Sequence, residues 1–276
     1  MTYNRKPIFQ PITLFPLETE ADSLAVDMVH KLYAEVEATM NTERSKQQTI
    51  GISEIGSDCL RCVARKLSGL YTKPSSSSWK AQVGTFIHAG LEEHFGNAKR
   101  VGDPWETDSA EQKTPTDADP VFWLERRLHI LSYKSLELGG SCDMFVEGAT
   151  FGLVNDWKTQ GAAKLKKTAS ADIGNTYAVQ MHTYGLGWEL LGKKVTHVVL
   201  YALPRDGELS EAKPVLMRYD RQIAIDALGR LQILIDAAEI IGWPQVIASQ
   251  DRAGHCFDCP GYEKLEADGF LDDLTA

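Results

Sequence analysis

Residues 153–159 read LVNDWKT, a short apolar run that ends in an acid, an aromatic residue and a base. Side chains alternate across a β-strand, so Asp156 and Lys158 are expected to share one face while Trp157 lies on the other. A carboxylate and an ammonium group two residues apart then point into the same space. The pattern is common by chance, and its alternative interpretation is an edge strand that carries two solvated charges.

The segment just before it, LELGGSCDMFV, predicts the partner strand of a hairpin. If the chain turns near Gly148, Asp143 faces Val154 and becomes the diagonal neighbour of Asp156, roughly 7–8 Å away. Two carboxylates at that separation can bind one divalent cation, and hard oxygen ligands favour Mg²⁺ or Mn²⁺. Lys158 beside them could orient a water molecule and offset negative charge that develops on a phosphate.

Two helical segments supply further candidate residues. In AQVGTFIHAGLEEHF, His88 and Glu92 are four residues apart and so share a face. A single helical histidine is more often a hydrogen-bonded core residue than a ligand. In NTYAVQMHTYGLGW, Tyr177, Gln180 and Tyr184 also fall on one face. For Tyr177 we prefer the interpretation that it belongs to an amphipathic packing face.

Four of the five cysteines form two C-x-x-C pairs, Cys59 with Cys62 and Cys256 with Cys259. Two such pairs supply the four thiolates of a structural zinc ion or an iron–sulfur cluster, which would tie the two ends of a domain together. The alternative is two unrelated pairs of buried or redox-active thiols. We interpret Cys142 as a small buried hydrophobic residue. An odd cysteine count without an export signal indicates a reducing, cytoplasmic compartment.

The order of the elements predicts a mixed β-sheet flanked by helices, an α/β or α+β fold. Helical periodicity is found at residues 20–42, 79–96, 172–191 and 221–242. Strand patterns are found at residues 123–134, 136–146, 150–159, 195–204 and 213–220. We expect loops at residues 73–79, at 103–119 and in the lysine-rich stretch 158–168.

The chain has 276 residues and a formal net charge of -9, which suits one sizeable domain or two small ones. No stretch approaches the ~20 apolar residues of a membrane-spanning helix, and the N-terminus does not match a signal peptide. The acidic excess argues against a protein that coats nucleic acid. Residues 103–119 hold six acids and one lysine, and residues 263–276 five acids and one lysine, so these two segments account for the excess.

The lysine-rich stretch lies immediately after the strand that carries Asp156, and it contains no acid. A local basic segment can follow a phosphate backbone even on an acidic protein. We therefore expect contact with a short length of DNA at one site, with Lys164, Lys166 and Lys167 as candidate phosphate contacts.

Six motifs occur in a fixed order along the chain. They are the first cysteine pair, G-x-x-x-H ending at His88, G-G-x-x-D ending at Asp143, D-W-K from Asp156 to Lys158, Q-x-x-x-Y from Gln180 to Tyr184, and the second cysteine pair. This order resembles the RecB-like branch of the PD-(D/E)xK nuclease superfamily. The likeness runs from about Cys59 to Cys259 and is greatest to small exonucleases of phages and CRISPR adaptation systems and to the AddB nuclease domain.

The resemblance implies a restriction-endonuclease-like core and a metal-dependent DNA exonuclease, acting on single-stranded DNA or DNA ends in recombination, repair or phage DNA processing. It implies Mg²⁺ or Mn²⁺ bound by His88, Asp143, Asp156 and the backbone carbonyl of Trp157. It further implies that Lys158 positions the attacking water, that Gln180 orients Lys158 or the substrate, and that Tyr184 contacts the DNA.

Relatives in this branch carry a [4Fe-4S] cluster with one cysteine upstream and three downstream, whereas this chain has two and two. We favour an iron–sulfur cluster, with structural Zn²⁺ as the alternative. The expected division is a helical extension at 1–50, a nuclease domain at 51–262 and an acidic tail at 263–276.

Two other functional classes compete with the nuclease. One is a nucleic-acid-binding or assembly module that keeps the nuclease fold without turnover. The other is a zinc-containing metabolic α/β enzyme, but the chain lacks the G-x-G-x-x-G and P-loop sequences of nucleotide-cofactor sites.

Overall fold

The computed structural model describes residues 19–20, 24–32, 50–69, 79–99, 114–170, 172–254, 256 and 258–267. The chain forms two compact units, Met1–Lys46 with Ser75–Gln82 and Gln47–Pro74 with Val83–Ala276. In the first unit residues 24–32 are helical, and most of the rest of the predicted helix at 20–42 lies outside the described residues. The second unit holds the β-sheet, the cysteines and every candidate site residue.

Seven helices and five strands have defined bounds in the described part of the chain. The helices are α1 Leu60–Ser68, α2 Trp79–Lys99, α3 Ala162–Ala169, α4 Asn175–Leu190, α5 Arg221–Ile241, α6 Trp243–Ser249 and α7 Cys259–Ala267. The strands are β1 Val121–Tyr133, β2 Leu136–Glu147, β3 Gly152–Gln160, β4 His197–Pro204 and β5 Lys213–Arg218. None of the described helices is both long enough and apolar enough to span a membrane.

The five strands form one mixed sheet in the order β1-β2-β3-β4-β5. Strands β3 and β4 are parallel, and every other neighbouring pair is antiparallel. A parallel pair needs a crossover connection, which α3 and α4 provide. The predicted mixed sheet flanked by helices is therefore confirmed.

Helices cover both faces of the sheet. The larger core contains Phe145 and Val154 from the sheet and Trp188 from α4, which has an unbroken buried run from Val179 to Trp188. Helix α4 lies close to the strands, because a Cβ atom at Gly187 would come within 2.6 Å of an Ile130 methyl group. On the opposite face, Trp157 of β3 packs with Met144, Val146 and Leu203, and α2 adds Ile87, Leu91 and Phe95.

The predicted register of the β2–β3 hairpin is wrong by two residues. Phe145, and not Asp143, pairs with Val154. The turn is longer than expected, since the amide of Gly148 donates to the carbonyl of Phe151 at 2.9 Å. The side chain of Asp117 stabilises this turn by accepting hydrogen bonds from the backbone N–H and the hydroxyl of Thr150, at 2.8 and 2.7 Å.

The lysine-rich stretch is also not a loop, because residues 162–169 form helix α3. Alanine, leucine and lysine favour a helix, and Leu165 and Thr168 are buried on its inner side. The Thr168 hydroxyl donates to the Gln160 side chain at 2.8 Å, which fixes the helix against the end of β3. At the C-terminus, α7 includes residues 263–267 of the segment interpreted as a tail, and residues 268–276 lie outside the described residues.

Candidate functional site

The site lies where strands β2 and β3 separate. Both strands are fully described, and their backbone pairing ends at Met144 and Asn155. One residue further along this register, Asp143 and Asp156 reach the same level of the sheet. The Asp143 carboxylate enters the gap, where its Oδ2 accepts a hydrogen bond from the Trp157 amide at 2.7 Å. The two predicted carboxylates are therefore closer in register than the diagonal arrangement we expected.

Helix α2 brings His88 to this gap. The His88 Nδ1 atom is 3.6 Å from Asp143 Oδ1, and both side chains are largely buried. The helix can approach β3 because Gly84 has no side chain; a Cβ atom there would lie 3.1 Å from the Thr159 hydroxyl. The neighbouring Asp143 carboxylate raises the pKa of His88, although burial opposes the shift.

Asp156 is the most deeply buried charged group of the site, with 1% of its surface exposed. Its Oδ1 accepts a hydrogen bond from Gln180 Nε2 at 3.0 Å, and its Oδ2 is 2.6 Å from the Lys158 ammonium. Burial raises the pKa of Asp156 to about 6, while the charge of Lys158 opposes the rise. Burial alone would lower the pKa of Lys158, but the charges of Asp156 and Asp143 outweigh it and the pKa is raised. Lys158 is therefore cationic at neutral pH.

Gln180 reaches the site from α4 and is 4% exposed. Its Oε1 has no hydrogen-bond partner among the described residues, so it remains able to accept a hydrogen bond. Tyr184, one turn later, is 6% exposed and belongs to the core. Burial, followed by the charge of Asp156, raises the pKa of its hydroxyl. The contact of Tyr184 with DNA stays a prediction.

Glu125 belongs to the site and was not identified from the sequence. It lies between the cross-strand pairs Leu124–Met144 and Arg126–Cys142, which makes Asp143 its neighbour across β1 and β2. One ligand atom each from His88, Glu125 and Asp143 lie within 4.8 Å of one another. Burial and the nearby charge of Asp143 raise the pKa of Glu125 to about 7.

Glu125 is difficult to identify from the sequence because a β-bulge in β1 changes which residue of β2 it faces. The register of β1 against β2 shifts between His129 and Leu131. Without that shift, the turn at residues 134–135 would place Glu125 opposite Met144. The Met144 side chain packs in the smaller core around Trp157. Only the extra residue of the bulge brings Glu125 and Asp143 level.

The donor set fits a hard divalent cation. It consists of carboxylate oxygens from Glu125 and Asp143 and one imidazole nitrogen from His88, while the oxygens of the neighbouring Asp156 contact Gln180 and Lys158. Carboxylates select Mg²⁺ or Mn²⁺ over softer metals, and imidazole is compatible with Mn²⁺ and other transition metals. The arrangement can hold one such ion beside a fixed ammonium group.

The three candidate phosphate contacts lie on α3, directly after β3. Lys166 and Lys167 are exposed, whereas Lys164 is half-buried and donates to the carbonyl of Ile173 at 3.3 Å. The Lys164 ammonium also lies 5.2 Å from the centre of the Tyr177 ring. Arg205 is a cation that the sequence did not suggest, and it donates to the carbonyl of Thr159 at 3.2 Å, one residue after Lys158.

The four paired cysteines meet in a second cluster. All four sulfur atoms lie within 4.8 Å of one another, with Cys59–Cys259, Cys62–Cys256 and Cys62–Cys259 separations of 3.5, 3.4 and 3.3 Å. The two C-x-x-C pairs therefore form one four-thiol site. Cys142 is separate and fully buried in the core, as interpreted from the sequence.

The thiols of this cluster differ in acidity. Burial raises the pKa of Cys62, and it also raises that of Cys259, to about 11. Burial acts in the same direction on Cys59, but hydrogen bonds from the backbone near Ala253 and Cys62 lower its pKa to about 7. The Arg65 guanidinium lies 3.8 Å from the Cys259 sulfur and would favour a thiolate there.

Comparison with solved structures gives distant likenesses. No protein-family model and no curated protein matches the chain. Among solved structures, it is similar to an alkaline exonuclease from Laribacter hongkongensis, with a TM-score of 0.49 and 7% identity over 71% of this chain and 91% of that chain. The complex of that exonuclease with dAMP has a TM-score of 0.48 and 9% identity over 71% and 91% of the two chains. The structure of SSO0001 has a TM-score of 0.43 and 11% identity over 76% and 87%.

Proposed function

We propose that the protein is a metal-dependent nuclease that hydrolyses phosphodiester bonds in DNA. The observation that carries this proposal is the meeting of Asp143, Asp156 and Lys158 at the gap between β2 and β3. Two carboxylates beside a half-buried, cationic lysine suit a reaction in which a cation and an ammonium group act on one phosphate. The ordered motifs that include His88 and Gln180 support the same assignment.

The residues of the site would have separate roles in metal binding and in positioning the water molecule. Asp143, Asp156 and His88 would hold Mg²⁺ or Mn²⁺, and the Trp157 carbonyl is a further candidate ligand. That carbonyl faces β2 together with the Trp157 amide, because both groups of one strand residue point to the same side. When bound, the cation supplies Lewis acidity and lowers the pKa of a water molecule. Lys158 would position this water and balance the charge that develops on the phosphate.

Gln180 and helix α3 would have supporting roles in the reaction. The Gln180 amide fixes the carboxylate of Asp156, and its free Oε1 can orient Lys158 or a substrate group. Lys166 and Lys167 are exposed on the helix that directly follows β3, and they would contact phosphates. We further propose exonuclease action on single-stranded DNA or free DNA ends, in recombination, repair or phage DNA processing, in line with the motif order.

The decisive test is cleavage of end-labelled DNA by the wild-type protein and by Asp156→Asn. Single- and double-stranded substrates should be compared with Mg²⁺, with Mn²⁺ and with EDTA. We expect cation-dependent cleavage by the wild type and a loss of at least about 100-fold in the variant, because the buried carboxylate cannot be replaced as a ligand. Asp226→Asn, which changes an exposed acid on α5, is the matched control.

Two results would overturn the nuclease assignment. One is full activity of Asp156→Asn, and the other is absence of cleavage by a folded wild-type protein with either cation. DNA binding without cleavage would instead favour the non-catalytic module that keeps the nuclease fold.

For the four-cysteine cluster we propose a structural metal, and the sulfur spacing favours Zn²⁺ over the [4Fe-4S] cluster preferred from the sequence. A tetrahedral zinc site with Zn–S bonds of ≈ 2.3 Å places its sulfurs about 3.8 Å apart. Three of the separations in the structure, 3.3–3.5 Å, are close to this value. In a four-iron cluster each thiolate binds a different iron, so the sulfurs lie farther apart.

A further inference from the structure

Glu125 has an unusual backbone conformation for a strand residue. Its φ is 45°, and among the described residues only Lys134 is another non-glycine residue with positive φ. This left-handed region is unfavourable for a glutamate, and such strain persists where the surroundings impose it. Ladder pairs on both sides of Glu125 hold the strand in place. The distortion is therefore confined to one residue, and it redirects one side chain.

That side chain is directed toward other acids. Its carboxylate lies with His88 and Asp143 inside a space of 4.8 Å, next to the buried Asp156. Three carboxylates close together repel one another, and Lys158 supplies a single positive charge. With all three carboxyls ionised and His88 neutral, the group carries an excess of two negative charges, which is the charge that one divalent cation neutralises.

We propose that Glu125 is a ligand of the divalent cation, together with His88 and Asp143. Strand β1 thereby contributes a third carboxylate to a site that the sequence motifs assign to β2, β3 and α2. The role of this residue in cleavage rests on the proposed nuclease function, but its role in cation binding does not. The distortion at residue 125 is then a cost that is offset when the cation binds.

The test compares cation binding by Glu125→Gln with that of the wild type and of Glu92→Gln. Glu92 is an exposed acid one turn after His88, so its substitution makes the same charge change close by. The probe is Mn²⁺, which thiolate sites bind poorly, followed by electron paramagnetic resonance and calorimetry. We expect Glu125→Gln to weaken Mn²⁺ binding at least about tenfold and Glu92→Gln to change it less than about twofold.

A second variant separates ligation from a structural role. Asparagine tolerates positive φ, so Glu125→Asn relieves the backbone strain and also removes the carboxylate. We expect its melting temperature without metal to equal or exceed that of the wild type, while Mn²⁺ binding weakens as in Glu125→Gln. A lower melting temperature with unchanged Mn²⁺ affinity would show that Glu125 only supports the fold.

Cleavage assays distinguish failure of this proposal from failure of the nuclease assignment. If the wild type cleaves DNA and Glu125→Gln retains wild-type Mn²⁺ affinity, the assignment of Glu125 is wrong and the nuclease stands. If the wild type binds Mn²⁺ tightly, loses that affinity in Glu125→Gln and cleaves no DNA, Glu125 is a ligand and the nuclease assignment is wrong.

Discussion

Asp156 illustrates how burial and charge act together on single residues of the site. It is buried between Lys158, which attracts its negative charge, and Gln180, which donates to one of its oxygens. Burial nevertheless dominates, and the pKa is raised. The pKa of Glu125 is also raised, by burial and by the charge of Asp143. The carboxylates therefore hold protons in a range where exposed acids are ionised.

This shift predicts a pH-dependent response to metal. Carboxyls with pKa values raised to about 6 and about 7 bind more protons in the folded than in the unfolded chain between about pH 4 and 7. Their contribution to stability is therefore present at low pH and is lost as the pH rises through this window. A cation must displace these protons, so its affinity should rise over the same window.

The measurement is the increase in melting temperature caused by Mn²⁺ at pH 5, 6, 7 and 8. We expect the increase to be small at pH 5 and to reach its full size near pH 7.5. In Glu125→Gln the increase should be smaller at every pH and should level off at lower pH. An equal effect of Mn²⁺ at pH 5 and pH 8 would contradict the raised pKa values.

At the scale of elements, the β2–β3 hairpin and α3 determine what surrounds the active strand. The four-residue turn at Gly148–Phe151 brings Asp143 level with Asp156, and the end of ladder pairing leaves room for the Asp143 side chain. Helix α3 then begins directly after β3 and turns its buried Leu165 inward. Its exposed lysines are consequently carried on a helix that directly follows the active strand.

Substitution of these lysines should weaken DNA binding without unfolding the protein. We expect Lys166→Gln with Lys167→Gln to lower the affinity for a short single strand and to reduce the dependence of binding on salt, because fewer phosphate charges are neutralised. Lys194→Gln, at an exposed position after α4, is the control and should leave both quantities unchanged. Fluorescence anisotropy at several salt concentrations makes the measurement, and an unchanged salt dependence in the double variant would exclude α3 from the interface.

At the scale of the whole molecule, the four-cysteine cluster joins distant parts of the second unit. It connects the start of α1 with the start of α7, and Arg61 of α1 adds a hydrogen bond to the carbonyl of Gln250 at 3.0 Å. A metal held by four thiolates from both segments stabilises the folded state, because the unfolded chain has no preformed site. The cluster is distinct from the carboxylate site in both position and chemistry.

Cys259→Ser should therefore lower stability more than it affects divalent-cation binding. We expect a loss of at least about 2 kcal/mol in the free energy of unfolding, with Mn²⁺ affinity retained in the protein that remains folded. Cys142→Ala, which alters a buried thiol outside the cluster, should lose less. Denaturant unfolding and Mn²⁺ titration of both variants make the comparison, and similar losses in the two variants would argue against a metal-binding cluster.

Elemental analysis and visible absorption spectroscopy would identify the metal in this cluster. We expect one zinc per chain and no colour. A brown protein that contains iron, absorbs near 400 nm and bleaches on reduction would instead establish the iron–sulfur cluster preferred from the sequence.

The sequence by itself determined the five strands, the longer helices around 79–96, 172–191 and 221–242, the division of β3 into two faces and the spacing within each C-x-x-C pair. These features are local, because helical periodicity, alternation along LVNDWKT and the spacing within each cysteine pair depend on neighbouring residues. Only the tertiary structure decided that Asp143 lies level with Asp156, that Glu125 joins them and that Tyr184 is buried. A longer turn, a β-bulge and the packing of α4 on the sheet set those positions, and each depends on contacts between segments distant in the chain.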